Sequence, residues 1–474
     1  MPFNSFNFWL LFPFIFILCL VIPQRFHRLQ NGFLLLVSYL LYMNWNPVFA
    51  TVLLGVTVIT YIGGLFVAHG KGRLSICFAV LGLLPLLAYK YYNFLNDSLT
   101  GLLELMGLHF SLPGLNWAIP VGISFFTFQA VGYVLDVYHG RCSSEKNFLD
   151  YALFVSFFPQ VTSGPISTAS ELMPQIKGKR CIEYSTVVRG LKWLLWGMFI
   201  KMVIADRLGM FVDLAYENYE HYSGMICLAT SIGYTIQIYC DFAGYSLMAI
   251  GIASTLGFKL INNFERPYFA ASVTEFWRRW HISLTRWLTT HVYIALGGNR
   301  CSRIRQYWNI MVTFLVSGLW HGANWTFVVW GAIHGLLQII EKALFGERIK
   351  AEIKSTDRKL TLMRGVRICI TFLLVNFAWV FFRMPTLADA CNIIGRILTM
   401  PSTSAPIPLN AISVIALGVA LPVMVLRELR EEFFAQKIAI LNRPLVKWVF
   451  YVFLFCFLLT MGVLDGGQFI YVSF

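Results

Sequence analysis

Two histidines stand in a stretch that otherwise has the composition of a membrane span. The stretch SGLWHGANWTFVVWGAIHG runs from Ser317 to Gly335 and contains His321 and His334. An ionisable side chain in hydrocarbon costs roughly 3 kcal/mol or more unless it pairs with another group or faces water. On one straight helix the two imidazoles would lie about 20 Å apart. They cannot act as a pair, so each needs its own explanation.

The residues around His321 are compatible with a role in proton transfer. It lies between Trp320 and Asn324, and Gly322 directly follows it, which favours a break between two helices. A neutral imidazole at such a break can take a proton from a hydroxyl group near neutral pH. A packing role for His321 fits the same residues equally well.

The residues around His334 favour a structural role. Its neighbours Gly331, Ala332 and Gly335 are small, which is typical of a close contact between two helices in a membrane. A buried imidazole at such a contact is most often held by a hydrogen bond. We therefore predict a structural hydrogen bond for His334.

A further histidine, His281, lies in a stretch that combines tryptophan with arginine. Trp277 shares its predicted helix face, whereas Arg278, Arg279 and Arg286 lie elsewhere around the helix. The arginines exclude the stretch from lipid and predict an amphipathic helix at the cytoplasmic interface. A guanidinium group binds phosphate oxygens in pairs, so the three arginines are candidates for a phosphate clamp, with lipid-headgroup contact as the alternative.

A stripe of polar side chains follows one face of a long apolar segment at residues 223–247. It includes Tyr234, Gln237 and Asp241, spaced by three and four residues. Such a stripe faces a bundle interior or a wet cavity. A hydrogen-bond network between helices and a substrate path explain it equally well.

The composition predicts an integral membrane protein with many spans. Of 474 residues, 58% are hydrophobic and 13% are charged, about half of the charged share of a soluble domain. The net charge of +14 is explained by the enrichment of Lys and Arg in cytoplasmic loops, so we expect no nucleic-acid partner. The ten scattered cysteines predict neither a metal site nor a disulfide framework.

Twelve apolar segments are candidate membrane spans. They cover residues 6–22, 31–45, 47–68, 74–95, 117–137, 184–206, 223–247, 306–320, 322–341, 366–383, 409–427 and 446–463. Basic loops follow the first, third and fifth, which predicts that these loops are cytoplasmic and that both termini lie outside. Residues 177–180 and 342–367 would then be cytoplasmic, and residues 213–220 external. Asp150–Ile166 is short and broken by prolines, which favours a re-entrant element buried in protein.

Six blocks of the sequence resemble the membrane-bound O-acyltransferase (MBOAT) family, in the branch that serves bacterial alginate O-acetylation. The blocks occur in the order of the family and are Pro120–Tyr138, Phe158–Ile166, Ile236–Gly251, Phe264–Leu288, Tyr293–Arg300 and Ser317–Gly335. They lie between Pro120 and Gly335, a span of nearly half of the chain. Outside them the ends are similar to the family only in hydrophobicity.

The resemblance implies an all-α polytopic membrane protein, in which about 11–13 transmembrane helices form a ring around a central tunnel with re-entrant and amphipathic helices. The chain would be a single domain, with N-terminal helices at 1–116, a catalytic core at 117–345 and C-terminal helices at 346–474. His321 corresponds to the catalytic histidine of the family and His281 to its supporting histidine. Tunnel walls in place of lipid would explain why His321 is tolerated.

The resemblance further implies an O-acetyltransferase of the bacterial inner membrane. Acetyl-CoA would be the cytoplasmic donor, and the acceptor would be an exported glycan or a partner acetyltransferase of the SGNH type outside the cell membrane. Donor or substrate contacts would involve Trp320, Asn324, the three arginines and the stripe at Tyr234, Gln237 and Asp241. Two alternatives remain open: a transporter of a lipid-linked sugar or proton-coupled solute, and a scaffold of an export complex without catalysis.

Overall fold

The computed structural model describes residues 3–70, 72–109, 112–354, 360–403, 405–434 and 443–464, and every regular element there is a helix. The helices are α1 Phe6–Val21, α2 His27–Met43, α3 Pro47–Ala68, α4 Gly72–Leu86, α5 Tyr92–Leu105, α6 Ile123–Tyr138, α7 Phe148–Ser156, α8 Phe158–Val161, α9 Ala169–Lys177, α10 Tyr184–Met198, α11 Asp206–Glu217, α12 Gly224–Thr255, α13 Val273–Arg279, α14 Ile282–Leu288, α15 Arg303–His321, α16 Trp325–Lys354, α17 Leu362–Arg383, α18 Leu387–Thr399, α19 Ala411–Phe433 and α20 Pro444–Met461.

The chain is a multi-pass membrane protein. Among the described residues, seven helical segments are long and apolar enough to cross a membrane, or eight if α1 and α2, bent by 103° at their junction, form one span. Each of the twelve predicted spans contains a helix, but the spans predicted at 117–137 and 322–341 begin too early, because residues 117–122 and 322–324 are irregular. Five of those helices do not pass on their own: α1 and α2 pass only as a bent pair, α6 is apolar but has 16 residues, α15 is too polar, and α10 is not among the apolar helices.

Contacts within the chain define two compact units. The first unit comprises Met1–Leu191, Ala249–Ile261 and Gly322–Asn324, and the second comprises Lys192–Met248, Asn262–His321 and Trp325–Phe474. Helices α10 and α12 contribute to both units. The division follows contacts within the chain, and the single-domain organisation stays a prediction.

In the first unit, the segment predicted to be re-entrant is buried throughout. Every residue of Asp150–Ile166 is buried, and the segment comprises most of α7, the single turn α8 and an irregular stretch. Other side chains satisfy its irregular backbone. The Ser38 hydroxyl accepts from the Phe158 amide at 3.1 Å, and the Gln160 amide donates to the Pro165 carbonyl at 2.8 Å. The burial in protein that the broken sequence predicts is confirmed.

In the second unit, α15 and α16 form a helical hairpin whose backbones touch. A β-carbon added to Gly318 would lie 2.2 Å from the Phe327 carbonyl oxygen, and one added to Gly331 would lie 2.3 Å from that of Phe314. Only glycine allows this approach. The contact fixes the two helices side by side just before the tip of the hairpin, where His321 lies.

The second unit also contains a π-helical turn at Phe199–Ala205, between α10 and α11. A π-turn adds a residue to the helical repeat and often marks a functional or strained position. Here it places the lysine of the turn, Lys201, in the interior.

Candidate active site

His321 is the last residue of α15, at the break that the sequence predicts. Its imidazole is 2% exposed and surrounded by aromatic rings. The ring centroids of Trp320, Trp330 and Phe382 lie 4.9, 5.1 and 5.2 Å away, each approaching nearly edge-on. Asn324 is half-buried in the short connection before α16, and Trp320 is buried. The histidine is therefore held at the tip of a rigid hairpin inside an aromatic enclosure.

The fold brings His281 to the same place. The centroids of the His281 and His321 rings are 6.5 Å apart, and Trp320 touches both imidazoles. His281 is fully buried, with Phe242 edge-on at 4.6 Å. It lies between α13 and α14, outside the candidate spans, and burial lowers the pKa of its imidazole to about 3, which keeps it neutral at physiological pH.

The stretch around His281 differs from the continuous amphipathic helix that the sequence predicts. The helix is interrupted at His281, whose φ of +42° and ψ of +55° are left-handed. The first half is mostly buried, including Trp277 and Arg279. Without glycine or proline at the break, the periodicity could not reveal the interruption. The left-handed residue directs the imidazole inward, and such conformations of larger residues are concentrated at functional sites.

His334 makes the hydrogen bond that the sequence predicts. The Trp277 indole Nε1 donates to His334 Nδ1 at 3.2 Å, and both side chains are buried. The partner could not be predicted, because it lies 57 residues away on α13. We use the term histidine cluster for His281, His321 and His334.

A cavity of about 310 Å³ lies along the α15–α16 hairpin. Its lining residues come from α13, α14, the π-turn at Thr289–Tyr293 with the loop after it, and the two helices of the hairpin. They are Thr274, Trp277, Arg278, Leu284, Thr285, Leu288, Thr289, Tyr293, Asn299, Ile310, Thr313, Phe314, Ser317, Gln338, Lys342 and Gly346. Because the helices are antiparallel, the cavity extends from Lys342 to Ser317, one helical turn before His321.

The three predicted clamp arginines separate in the structure. Arg278 is exposed and lines the cavity, where Lys342 is the other cation among the described lining residues. Arg286 is half-buried in the last turn of α14, away from the lining. Arg279 is buried and bridges the carboxylates of Glu275 and Glu432, the latter at 2.9 Å. The geometry keeps only Arg278 of the three as a cavity residue.

The two carboxylates account for the charge of Arg279. Burial acts to lower the pKa of its guanidinium, but the hydrogen bond to Glu432 and the nearby negative charges outweigh burial and raise the pKa above its ordinary value. Arg266 also binds Glu432, at 2.9 Å. Arg279 therefore belongs to an internal ion network that joins α13 to α19.

The polar stripe of α12 is buried, and it meets a lysine. Asp241 forms an ion pair with Lys201, which also binds Asp206 at 2.7 Å. We call these three residues the lysine cluster. Gln237 lies one turn from Asp241 and packs against Gly209, where an added β-carbon would be 2.9 Å from the amide nitrogen. The network between helices that the sequence offers as one of two explanations is present at Asp241.

The comparisons with known proteins agree with this architecture. The family model of the membrane-bound O-acyltransferases matches residues 143–382, just over half of the chain, including His281 and His321. A probable alginate O-acetylase, AlgI, of Pseudomonas aeruginosa is 38% identical over 370 residues, which are 77% of this chain and 68% of the relative. The chain belongs to the membrane-bound O-acyltransferase family.

Other relatives of this MBOAT protein act on different polymers. A peptidoglycan O-acetyltransferase of Helicobacter pylori is 36% identical over 402 residues, covering 78% of this chain and 74% of the relative. A teichoic acid D-alanyltransferase of Bacillus subtilis is 23% identical over 397 residues, covering 80% and 97%. The protein is thus a membrane O-acyltransferase, and the acyl group and acceptor differ among its relatives.

Two groups of this MBOAT site escape sequence reasoning. Lys201 falls within the apolar span predicted at 184–206, although a lysine inside such a segment is itself a signal of a buried partner. The sequence places Lys342 only in a cytoplasmic basic block, whereas in the structure it lines the cavity together with Arg278. The role of each lysine is apparent only from a residue that the fold brings close, Asp241 for Lys201 and Arg278 for Lys342.

Proposed function

We propose that the protein transfers an acetyl group from cytoplasmic acetyl-CoA to a hydroxyl group of an exported glycan, directly or through a partner acetyltransferase. The observation that carries the proposal is the cavity along α15 and α16, which ends at Ser317, one turn before His321. A donor in this cavity would present its thioester to the histidine cluster.

The cations of the cavity suit the donor. Coenzyme A carries several phosphates, and guanidinium and ammonium groups bind phosphate oxygens. Arg278 is exposed at the cavity, and the Lys342 ammonium donates to the Asn299 amide oxygen at 3.0 Å, which holds the lysine at the lining. Lys342 lies in the block that charge alternation assigns to the cytoplasm, the side on which acetyl-CoA is made.

His321 is the proposed general base. The imidazole takes the proton of the acceptor hydroxyl, the oxygen attacks the thioester carbonyl, the C–S bond breaks, and the proton passes to the departing thiolate. A covalent acetyl-imidazole on His321 is the alternative route to the same products. His281, in ring contact with the same Trp320, would position His321 or the substrate.

The acceptor follows from the relatives and the charge pattern. The relatives are named for alginate, peptidoglycan and teichoic acid, which are polymers of the cell envelope. We place residues 213–220 on the outer face of the inner membrane, where such a polymer or an SGNH-type partner would meet the enzyme. A cysteine at Glu220, in a background without native cysteines, should react with an impermeant reagent in intact cells. A cysteine at Lys179 should not react.

The decisive experiment supplies radiolabelled acetyl-CoA to the purified protein in nanodiscs. Hydrolysis of the thioester or labelling of the protein supports the proposal, and both should disappear in His321→Gln. A transporter would instead accumulate solute in vesicles without consuming acetyl-CoA. If acetyl-CoA is neither bound nor consumed by a folded preparation, the donor assignment is wrong.

A further inference from the structure

A wall of aromatic side chains lies between the cavity and His321. Trp277 lines the cavity and is 4% exposed. Its indole packs against Phe314 at 5.1 Å and against Trp330 at 5.7 Å, both steeply inclined. Trp330 in turn lies 5.1 Å from the His321 ring. An acyl group moving from the cavity to His321 must therefore pass Trp277 and Trp330.

The Trp277 indole is held in one orientation. Its Nε1 donates to His334 Nδ1 at 3.2 Å, and the His334 ring lies between Trp277 and Trp330, with centroids 5.0 Å from each. Breaking a buried hydrogen bond leaves a polar atom without its partner. The wall is thus a fixed surface and not a loose contact between rings.

The helix faces that line the cavity continue towards the histidine cluster. Gly346, Lys342 and Gln338 line the cavity at intervals of four residues on α16. The next two positions at the same interval are His334 and Trp330. On α15 the next turn after Ser317 carries His321. The same faces continue past the end of the cavity into the histidine cluster, and Trp277 is the side chain inserted between them.

We infer that Trp277, oriented by His334, is the residue that restricts this enzyme to a short acyl group. The inference rests on the proposed donor. A two-carbon acyl group adds little volume at the wall, whereas each further methylene must displace packed ring atoms. Hydrophobic pockets discriminate by about ten- to two-hundred-fold per methylene. A butyryl or hexanoyl thioester would therefore react far more slowly than the acetyl thioester.

The test measures the release of free coenzyme A from acetyl-, propionyl-, butyryl- and hexanoyl-CoA by protein in nanodiscs. The readout is the ratio of butyryl to acetyl turnover, which does not depend on the active fraction. Trp277→Leu should raise this ratio at least tenfold, because it opens the wall. His334→Leu should raise it less, because the indole stays but loses its anchor. His334→Gln keeps an acceptor and should leave the ratio close to that of the wild type.

Trp308→Leu is the matched control, since Trp308 is an exposed tryptophan of α15 outside the cavity lining. Its ratio should equal that of the wild type. If Trp277→Leu does not fold, Trp277→Phe and His334→Leu decide. Unchanged ratios in the folded variants, with acetyl-CoA consumed by the wild type, would overturn the role of Trp277. Absence of acetyl-CoA turnover in the folded wild type would instead overturn the proposed donor.

Discussion

The histidine cluster and the lysine cluster are both buried in the second unit, but their surroundings differ. His321 is enclosed by the rings of Trp320, Trp330 and Phe382. Lys201 is enclosed by the carboxylates of Asp206 and Asp241. One polar group is placed among apolar rings, whereas the other is matched by opposite charges.

This difference distinguishes a group proposed to carry out chemistry from a group that holds helices together. A buried ion pair satisfies itself, and its removal is felt mainly as a loss of stability. An imidazole among aromatic rings can instead accept and return a proton. Burial of an ionisable residue in a membrane protein is therefore not by itself a sign of an active site. The groups around a buried ionisable residue indicate whether it belongs to an active site or to a structural contact.

The largest expected effect is on catalysis at His321. In His321→Gln the side chain keeps similar size and hydrogen-bonding capacity but cannot titrate near neutral pH, so acetyl transfer should fall by roughly 10²- to 10⁴-fold. Membrane expression and thermal stability should match the wild type. Product acetylation at equal expression measures this. Near-normal acetylation would remove the contrast between the two clusters and favour the scaffold or transporter alternatives.

The next effect is on stability at Lys201. Lys201→Met leaves two carboxylates facing each other without their cation, which should cost about 3–5 kcal/mol. We expect a lower unfolding midpoint and a lower yield of monodisperse protein. Lys201→Met combined with Asp206→Asn and Asp241→Asn removes all three charges and should recover part of the loss. A stable but inactive Lys201→Met protein would instead place the lysine cluster in the reaction.

A smaller effect is expected at His281. The His281→Gln variant should fold and should lose a part of the acetyl transfer that His321→Gln loses, because the proposed role of His281 is to position the reacting groups. The split between kcat and KM for acetyl-CoA distinguishes this from a packing role, which would lower the unfolding midpoint without a selective kinetic change. A loss equal to that of His321→Gln would make His281 a second proton-transfer group.

The smallest effect distinguishes two adjacent arginines. Arg278→Ala should weaken acetyl-CoA binding by roughly tenfold, the worth of one charge-assisted contact, with little change in stability. Arg279→Ala should instead lower stability, because Glu275 and Glu432 lose their shared cation. Titration of acetyl-CoA binding and thermal unfolding of both variants test this. The opposite pattern would return Arg279 to the donor site.

The sequence predicts the elements of this protein better than their partners. Each of the twelve apolar segments contains a helix, and the break at His321 is where Gly322 indicates it. Hydropathy and glycine act locally, so one sequence suffices to read them. The left-handed turn at His281 carries no such signal, because a histidine in a helical pattern looks the same whether the helix continues or stops.

The missing parts of the site are contacts between distant residues. Glu432 reaches Arg279 across 153 residues, and Trp277 reaches His334 across 57. Periodicity indicates which face of a helix is buried, but not which helix covers it. For that reason the sequence does not distinguish Arg278, Arg279 and Arg286. Their neighbours in the fold show which arginine lines the cavity and which is structural.

The backbone contact between Gly318 and Gly331 has a consequence for how the protein enters the bilayer. Helix α15 is not among the helical segments of the described chain that are apolar enough to cross alone, whereas its partner α16 is. Two helices that touch this closely can shield each other's polar positions from lipid. We therefore expect α15 to be inserted together with α16 as one hairpin. His321, the proposed catalytic residue, would then reach membrane depth at the tip of a unit assembled during biogenesis, and Gly318→Ala or Gly331→Ala would first impair insertion.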